Sequence, residues 1–379
     1  MSTKKNPKIM FLSTYPPRAC GIATFTQDLV GALSKTGKIK TGIVAVNDND
    51  YDYPPEVQMT LKQYSPESYP ETAEKINSSS ADLLMIEHEF GIYGGEWGEY
   101  VLKFTEALKK PYCVTLHTVL PKPLKKQEMI IRQLAAGCKK LVTMSSSSVH
   151  LLENIYGVPK EKISVIPHGV PELPMEDRES LKKQENLEGR FVVSTFGLLS
   201  PGKGLEYGIE AVARVAKQHP EIIYLILGQT HPGIKKRNGE KYRESLEKLV
   251  QKYGISKHVL FVNKYLTKQE IIRYLCISDV YMTPYLGKDQ AVSGTLAYAA
   301  GYGRVIVSTP YPYAEEMLAD GRGLLAEFKN ADSLAKCIME VMRDHKKQNM
   351  MENKMLSFGK NMMWSCVAEK YFSVFSQSI

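Results

Sequence analysis

Residues 191–217 read FVVSTFGLLSPGKGLEYGIEAVARVAK. The apolar, β-branched run Phe191–Thr195 predicts a buried strand, and the apolar spacing of Leu205–Lys217 predicts a helix. The loop Gly197–Gly204 joins them, and its glycines allow the backbone to approach a ligand closely. A strand, a glycine-rich loop and a helix form the repeating unit of a parallel α/β sheet, whose ligands bind at the carboxyl ends of the strands.

The same alternation of strands and helices continues on both sides of this stretch. The predicted strands are Lys8–Ser13, Thr41–Val46, Leu83–Glu87, Tyr112–Leu116, Lys140–Met144, Ile163–Ile166, Ile222–Leu227, Val259–Val262, Val280–Thr283 and Val305–Ser308. The helical patterns between and after them are Thr24–Ser34, Tyr100–Lys109, Gln127–Ala136, Ser147–Ile155, Tyr242–Tyr253, Lys268–Cys276, Thr295–Ala300, Ser333–Asp344 and Met350–Gln377. The polar segment Pro171–Gly189 separates two such arrays and reads as a linker. We therefore expect an α/β protein with two Rossmann-like, doubly wound domains facing a central cleft.

Composition limits the class of protein. The chain has 379 residues, 43% hydrophobic and 24% charged, which is typical of a globular protein with a sizeable core. Its six cysteines form no C-x-x-C pair, so a zinc or iron–sulfur site is not expected, and scattered thiols suit a reducing compartment. The apolar run Ile9–Leu12 is too short for a signal peptide, and no run has the length of a membrane span. We expect a cytoplasmic protein.

The net charge of +8 suits an anionic substrate or an anionic membrane face, and no nucleic-acid-binding motif accompanies it. The loop Gly197–Gly204 offers an anion site, because Lys203 supplies a charge and the following helix supplies free amide groups. Its sequence approaches the P-loop pattern G-x-x-x-x-G-K-[ST], but Gly204 replaces the magnesium-binding hydroxyl residue. A phosphate site is favoured over a structural turn or a true P-loop.

This loop resembles the donor-phosphate loop of the retaining glycosyltransferases with the GT-B fold in family 4, whose pattern is G-R-L-x-x-x-K-G. Lys203 matches the lysine, whereas Leu198 stands at the arginine position. Four further segments resemble motifs of the family, in the family's order. Ser13–Phe25 resembles its first glycine loop, and Thr115–Thr118 resembles the strand end that usually reads H-D. Val165–Val170 resembles the motif I-P-N-G-V, with a histidine at its asparagine, and Trp364 resembles the tryptophan of the closing helix.

The resemblance implies an enzyme that moves a hexose from a nucleotide-diphosphate sugar to a hydroxyl of a carbohydrate or lipid-linked acceptor, with retention of configuration. GDP-mannose and UDP-hexoses are the candidate donors. Residues 1–172 would form the acceptor-binding domain and residues 173–355 the nucleotide-sugar-binding domain. Residues 356–379 would form a helix that crosses back to the first domain. Neither a metal nor a cofactor is expected.

The family's two glutamates near the donor, eight positions apart, are replaced here. Gln290 and Tyr298 align with them, and Asp289 stands one residue before the first position. Whether Asp289 substitutes for that acid stays open at this point. The segment resembles a branch of the family that shares His88–Gly95 and Gly228–Pro232.

The resemblance and the loop positions together select the site candidates. The catalytic candidates are His117, Lys203, Asp289 and Gln290. The donor-binding candidates are Gly21, Gly197, Ser200, Gly202, Lys203, Gly228, Arg243, Ser293, Gly294, Thr295 and Tyr298. The acceptor-binding candidates lie in a glycine-rich loop and are His88, Glu89 and Phe90. For each, a structural role such as helix capping or core packing is the alternative.

Three further hypotheses concern charged residues. Arg237 or Arg243 could supply the positive charge that Leu198 lacks, and solvated charges are the alternative. The D-x-D strings at residues 48–52 resemble the metal-binding motif of another glycosyltransferase fold, but acidic residues are also common in turns. A basic stretch could contact an anionic membrane at the inner face or form a solvated helix surface; it contains Lys122, Lys125, Lys126 and Arg132.

Two other classes of function stay open. A GT-B glycoside phosphorylase would use inorganic phosphate at the same anion site and would need no nucleotide. A non-catalytic relative would bind a nucleotide sugar without turnover, as the replaced arginine and glutamates suggest. One fold hosts many functions, so the fold cannot separate these classes.

Overall fold

A computed structural model describes residues 6–379 of the chain. The described residues divide into two compact units. The first comprises the residues up to Gly169 together with Met363–Ile379, and the second is Val170–Met362. Each unit has its own parallel sheet.

The first unit begins with alternating strands and helices. Its strands are β1 (Lys8–Ser13), β2 (Lys40–Asn47), β3 (Val57–Lys62), β4 (Leu83–His88), β5 (Tyr112–Leu116), β6 (Leu141–Thr143) and β7 (Ile163–Val165). Its first five helices are α1 (Gly21–Lys35), α2 (Ser68–Asn77), α3 (Tyr100–Ala107), α4 (Lys125–Gly137) and α5 (Ser147–Asn154). The strands are parallel and ordered β3-β2-β1-β4-β5-β6-β7, so the winding reverses between β1 and β4. The sheet is buried by helices, and β4 has no exposed position.

The second unit repeats this plan. Its strands are β8 (Phe191–Phe196), β9 (Ile222–Leu227), β10 (Val259–Val262), β11 (Val280–Thr283), β12 (Val305–Ser308) and β13 (Leu324–Leu325). Its helices are α6 (Arg178–Gln184), α7 (Leu205–Val215), α8 (Pro232–Asn238), α9 (Lys241–Lys252), α10 (Lys268–Ile277), α11 (Gly294–Gly301), α12 (Pro312–Leu318), α13 (Ala331–Arg343) and α14 (His345–Gly359). The order β10-β9-β8-β11-β12-β13 places the winding reversal between β8 and β11, where doubly wound sheets bind ligands.

A last helix, α15 (Trp364–Ser376), belongs to the first unit although it follows the second in sequence. The ring of Phe375 packs edge-on against Phe11 of β1, with 6.1 Å between ring centroids. The Trp364 ring lies directly over Gly169, where an added Cβ would approach it to 2.2 Å. The helix thereby completes the first core.

The two doubly wound sheets confirm the expected fold class, and each predicted strand forms within two residues of its expected ends. Two expectations are corrected, and one helix forms where none was predicted. The segment Pro171–Gly189 is not all linker, because Asp177 caps α6 by accepting a hydrogen bond from the Ser180 amide at 2.9 Å. The loop after β9 contains α8, which His231 caps through the Gly233 amide. The expected helix Met350–Gln377 is two helices, α14 and α15, separated by a short 3-10 turn at Lys360–Met362.

The fold also contains elements that the sequence pattern did not indicate. These are β3, α2, α12 and β13. None of the described helices combines the length and the apolar composition of a bilayer span.

Candidate functional site

Two glycines bring the ends of β8 and β9 together. Gly197 has φ +126° and Gly228 has φ +140°, both in the region that disfavours side chains. A Cβ at Gly228 would lie 2.1 Å from the carbonyl oxygen of Gly197. The backbone continues this contact, since the Leu199 amide donates to the Gln229 carbonyl at 2.9 Å. Glycine is therefore required at Gly228 by the close approach of the strand ends and at Gly197 by its backbone conformation.

The loop after β8 is fixed against the segment after β11. Gly204 is left-handed (φ +61°) and packs on Pro284, whose carbonyl oxygen an added Cβ would approach to 2.1 Å. The Leu286 amide donates to the Gly202 carbonyl at 3.0 Å. Ser200 begins the 3-10 turn Pro201–Lys203, which orients the lysine. This is where a doubly wound sheet binds its ligand.

The ammonium of Lys203 lies in a chain of hydroxyl groups. Its Nζ donates to the Tyr285 hydroxyl at 2.6 Å, which lies 2.8 Å from Thr295 Oγ1. Ser293 caps α11 by accepting from the Leu296 amide at 3.3 Å. Burial alone would raise the pKa of Tyr285, but the Lys203 charge and the hydrogen bonds of the chain together lower it. The structure thus brings Lys203, Ser293 and Thr295 together, with Gly294 between the two hydroxyl residues.

The start of α11 and the loop after β8 offer hydrogen-bond donors to an anion. The first amides of any helix lack intrahelical partners, and they attract negative charge. A small recess lies beside the loop after β8, and its lining includes Gly197, Leu198, Lys203 and Thr195. The arrangement suits a phosphate group.

The two arginines considered for the missing charge differ in their surroundings. Arg243 pairs with Glu240 at 3.3 Å and with Glu247 at 2.7 Å. Hydrogen bonds from Thr230 and Lys235 lower the pKa of Glu240 to about 2, so it is ionised beside Arg243. Arg237 is exposed on α8. Burial lowers the pKa of His231, and Arg237 and then Lys203 lower it further, which locates all three groups in one electropositive region.

The positions of the family glutamates have different environments. Tyr298 is only 8% exposed and its ring packs near Phe196, with 6.2 Å between centroids. Gln290 is partly exposed and donates its amide Nε2 to the Val292 carbonyl at 3.0 Å. Asp289 is exposed. Among these side chains, Asp289 and Gln290 are accessible to a ligand and Tyr298 is packed.

In the first unit, His117 forms a buried pair with Glu87. Glu87 lies near the end of β4, and His117 directly follows the neighbouring strand β5. His117 Nε2 lies 2.8 Å from Glu87 Oε2. Thr115 donates its hydroxyl to the other carboxylate oxygen at 3.5 Å and lies 3.1 Å from the Tyr371 hydroxyl. Glu87 is 0% exposed and His117 is 9% exposed, so the imidazole retains a small accessible edge. Gly21 begins α1, and an added Cβ there would meet no atom within 4 Å.

The three acceptor-binding candidates differ in exposure. His88 is fully buried, stacks on Tyr93 and has both ring nitrogens without a hydrogen-bond partner. Burial and the nearby His117 lower the pKa of His88 to about 3. Phe90 is 7% exposed. Only Glu89 is partly accessible, and it accepts a hydrogen bond from the Thr118 hydroxyl.

A third histidine of the first unit packs among aromatic rings. His168 lies 5.2 Å from Phe25 and 6.4 Å from Trp364, measured between ring centroids. Burial lowers the pKa of His168 to about 4, although its hydrogen bond to the Gly169 carbonyl acts in the opposite direction.

The acidic D-x-D strings and the basic stretch both contain residues that form ion pairs. Asp48, the first acid of the D-x-D strings, pairs with Arg18 at 3.2 Å. No group of three or more His, Cys, Asp or Glu side chains among residues 6–379 is arranged to hold a metal ion. In the basic stretch, Lys126 pairs with Glu96 and Glu99, and Arg132 pairs with Glu128 at 2.7 Å. These pairs favour the solvated surface for that stretch.

The sequence reasoning missed two residues of these clusters. Glu87 is a lone acid inside the apolar strand β4, and that anomaly was a usable signal. Tyr285 follows β11 without a motif of its own, and only the folded chain shows its contact with Lys203.

Comparisons with known proteins identify the family and agree with the fold. Residues 177–356 match the family model for glycosyl transferases group 1, and residues 20–172 match the model for glycosyltransferase family 4. An uncharacterized glycosyltransferase of Methanocaldococcus jannaschii is 25% identical over 239 residues, which cover 60% of this chain and 56% of that protein. The match thus spans little more than half of the relative's length.

Two solved structures share the whole fold. HepE of Anabaena, in complex with UDP, has a TM-score of 0.78 at 17% identity and covers 97% of this chain and 99% of its own. Sucrose-phosphate synthase of Thermosynechococcus elongatus also has a TM-score of 0.78 at 17% identity, with 98% and 99% covered. The fold defines a GT-B protein. The chain belongs to glycosyltransferase family 4, the group 1 glycosyltransferases.

Proposed function

We propose that this protein is a retaining hexosyltransferase. It takes a hexose from a nucleotide-diphosphate sugar, either GDP-mannose or a UDP-hexose, and moves it to a hydroxyl of a carbohydrate or lipid-linked acceptor. The observation that carries the proposal is the anion site of the second unit, where Lys203, Ser293 and Thr295 meet at the winding reversal. HepE was solved with UDP, which supports a nucleotide donor for the shared fold.

The second unit would bind the donor. The loops after β8 and β9 have no side chain at Gly197, Gly202 and Gly228, so a diphosphate could approach the backbone amides. Lys203 and the start of α11 would hold its phosphates. Arg237 is the better candidate for the charge that Leu198 lacks, because Glu240 and Glu247 already neutralise Arg243.

The chemistry needs a stabilised leaving group. The bond between the anomeric carbon and the phosphate oxygen breaks, and the acceptor oxygen bonds to the same face of the sugar. The acceptor proton passes to the departing phosphate. Negative charge develops on the diphosphate, and donors fixed in advance around it lower the barrier. We propose that Lys203 and the α11 amides perform this role without a metal.

The first unit would bind sugar hydroxyls. The edge of His117 is accessible, and Glu87 fixes the orientation of its ring. Glu89 is the accessible carboxylate of the same region. Hydrogen bonds from such groups fix a sugar's orientation, which is how binding sites of this kind gain specificity.

Replacing Lys203 tests the proposal. Loss of one donor to a developing oxyanion typically lowers turnover by about 10²–10³-fold, so we expect Lys203→Ala to lower kcat by at least that factor. The assay follows nucleoside diphosphate release from GDP-mannose and UDP-hexoses. Lys236→Ala removes an exposed lysine of α8 and serves as the matched control. Near-normal turnover of Lys203→Ala would refute the role of the site.

A non-catalytic binding role is the second candidate, since Tyr298 packs where the family has a glutamate. That role predicts binding of a nucleotide sugar with no release of product. A glycoside phosphorylase would instead release a sugar 1-phosphate from a glycoside and inorganic phosphate, without a nucleotide. Measuring nucleoside diphosphate release from nucleotide sugars and sugar 1-phosphate release from glycosides with phosphate therefore separates the three functions.

A further inference from the structure

One buried tyrosine joins the two elements that carry the anion site. Tyr285 follows β11 and is 1% exposed, so it lies behind the accessible surface of the site. Its hydroxyl oxygen lies 2.6 Å from Nζ of Lys203, in the loop after β8. The same oxygen lies 2.8 Å from Oγ1 of Thr295, in the first turn of α11.

The tyrosine is itself held from several directions. Its ring stacks on Tyr311, with 5.6 Å between centroids and 12° between planes. Its carbonyl accepts a hydrogen bond from the Thr309 hydroxyl at 2.7 Å. The Lys203 ammonium lies 4.0 Å from the ring centroid as well as against the hydroxyl. The position of the hydroxyl is therefore determined by the core rather than by a ligand.

The chemistry of these groups fixes the direction of one hydrogen bond. An ammonium can only donate, so the Tyr285 oxygen accepts from Lys203. The hydroxyls of Tyr285 and Thr295 can each donate to the other, and Thr295 Oγ1 also lies 3.2 Å from Ser293 Oγ. Tyr285 thus connects the Lys203 ammonium with the hydroxyl groups at the start of α11.

We propose that Tyr285 is a positioning residue of the donor-diphosphate site, which aligns the Lys203 ammonium and the Thr295 hydroxyl as donors toward one anion. This inference rests on the proposed function, because that function supplies the diphosphate. The lowered pKa of Tyr285 agrees with the arrangement, since the Lys203 charge and the hydrogen bonds to the hydroxyl together outweigh the effect of burial. Tyr285 does not touch the ligand; it acts through Lys203 and Thr295.

Calorimetric titration of Tyr285→Phe tests the alignment. This variant keeps the ring, its stacking and its contact with the ammonium, and removes only the hydroxyl. The probes are UDP, GDP, ADP and inorganic pyrophosphate, each nucleotide being paired with its nucleoside. We expect the affinity for the diphosphate that the wild type binds to fall by about 10- to 100-fold, the size of one charge-assisted hydrogen bond. Affinity for the matching nucleoside should not change.

Two further variants sharpen the result. Tyr311→Phe is the matched control, because it also removes a buried tyrosine hydroxyl from the stacked pair but not from the chain to Lys203. Thr295→Val removes the next hydroxyl of the chain and should weaken diphosphate binding in the same direction. In the Lys203→Ala background, Tyr285→Phe should add less than about 3-fold, since residues that act through one another are not additive.

The outcomes separate the two proposals. A wild type that binds one of the probes, with Tyr285→Phe binding it equally tightly, overturns the alignment and leaves the proposed function. Equal weakening by Tyr311→Phe also overturns it, because the effect would then be one of packing. If Tyr285→Phe does not fold, unchanged diphosphate affinity of Thr295→Val overturns it instead. A wild type that binds none of the four probes overturns both proposals.

Discussion

At the scale of single residues, three histidines of the first unit occupy different electrostatic settings. His117 is paired with the buried carboxylate of Glu87. His88 is fully buried and His168 is partly buried, and loss of hydration holds the pKa of each far below its ordinary value. The first is therefore suited to binding polar groups, whereas the other two are held neutral.

The lowered pKa of His168 makes stability depend on pH. The pKa of His168 is about 4 in the folded protein against an ordinary value of 6.5. Between these values the unfolded chain binds a proton that the folded chain does not, so the free energy of unfolding falls as the pH is lowered from 6.5 toward 4. The slope for one such group approaches about 1.4 kcal/mol per pH unit.

His168→Asn removes this group and places asparagine where the resembling family motif has it. We expect the variant's free energy of unfolding to depend less on pH below 6.5, by up to about 1.4 kcal/mol per pH unit. Urea unfolding at pH 7.5, 6.5, 5.5 and 4.5 measures the slope. His150→Asn, at an exposed histidine, is the control. Equal slopes for wild type and His168→Asn would show that His168 is not held neutral.

At the scale of elements, the loop between β8 and α7 contains two glycines with opposite requirements. Gly204 is left-handed and a Cβ there would meet the Pro284 carbonyl at 2.1 Å. Gly202 has open space on its side, with no atom within 4 Å of an added Cβ. Both lie beside Lys203, so substituting each in turn tests whether the loop depends on the close packing at Gly204 or simply on having glycines.

We expect Gly204→Ala to lower the free energy of unfolding by about 1–3 kcal/mol, the cost of a strained backbone position. The new methyl group must also displace the Pro284 carbonyl. Gly202→Ala should change it by no more than about 0.5 kcal/mol. Urea unfolding of both variants measures the difference. Similar stabilities would contradict the tight packing of this loop on the segment after β11.

The buried strands were predictable because each has a continuous apolar run, which a sheet covered on both faces requires. Strand β3 was not, since it is the edge strand and most of its side chains are exposed or half-buried. Helix α8 was missed because its last turns are basic and no residue of it is buried. The end of α14 packs closely on α11, since a Cβ at Gly359 would approach the Ala300 carbonyl to 2.5 Å.

The residues of the candidate site were predictable only where they belong to a pattern within one short segment. The loop Gly197–Gly204 and the start of α11 are local patterns, so the sequence pointed to Lys203, Ser293 and Thr295. The pair of Glu87 with His117 depends on the register of β4 and β5, which opposes Glu87 to Thr115. No spacing within either strand encodes that register, and the same holds for the contact of Tyr285 with Lys203.

At the scale of the whole molecule, the two units differ in continuity. The second unit is one uninterrupted segment, Val170–Met362, with its own sheet and hydrophobic core. The first unit needs two segments, because α15 supplies Trp364, Tyr371 and Phe375, each no more than 6% exposed.

We expect residues 170–362, expressed alone, to unfold cooperatively in urea. Residues 1–169 alone should not, because truncating a buried aromatic side chain costs about 3–5 kcal/mol and three are lost, against a total stability of about 5–15 kcal/mol. Fusing residues 363–379 to residue 169 through a flexible linker should restore a cooperative transition. A cooperative transition of residues 1–169 without α15 would contradict the role of this helix.

The return of α15 to the first unit also fixes the order in which the protein can mature during translation. All strands of the first sheet leave the ribosome before any of the second, yet their covering helix is synthesised after the second unit is complete. Domains generally fold as they emerge. The second unit can therefore reach its native state while the nascent first unit still exposes the apolar surface awaiting its last helix, and that interval is when a chaperone would have most to protect.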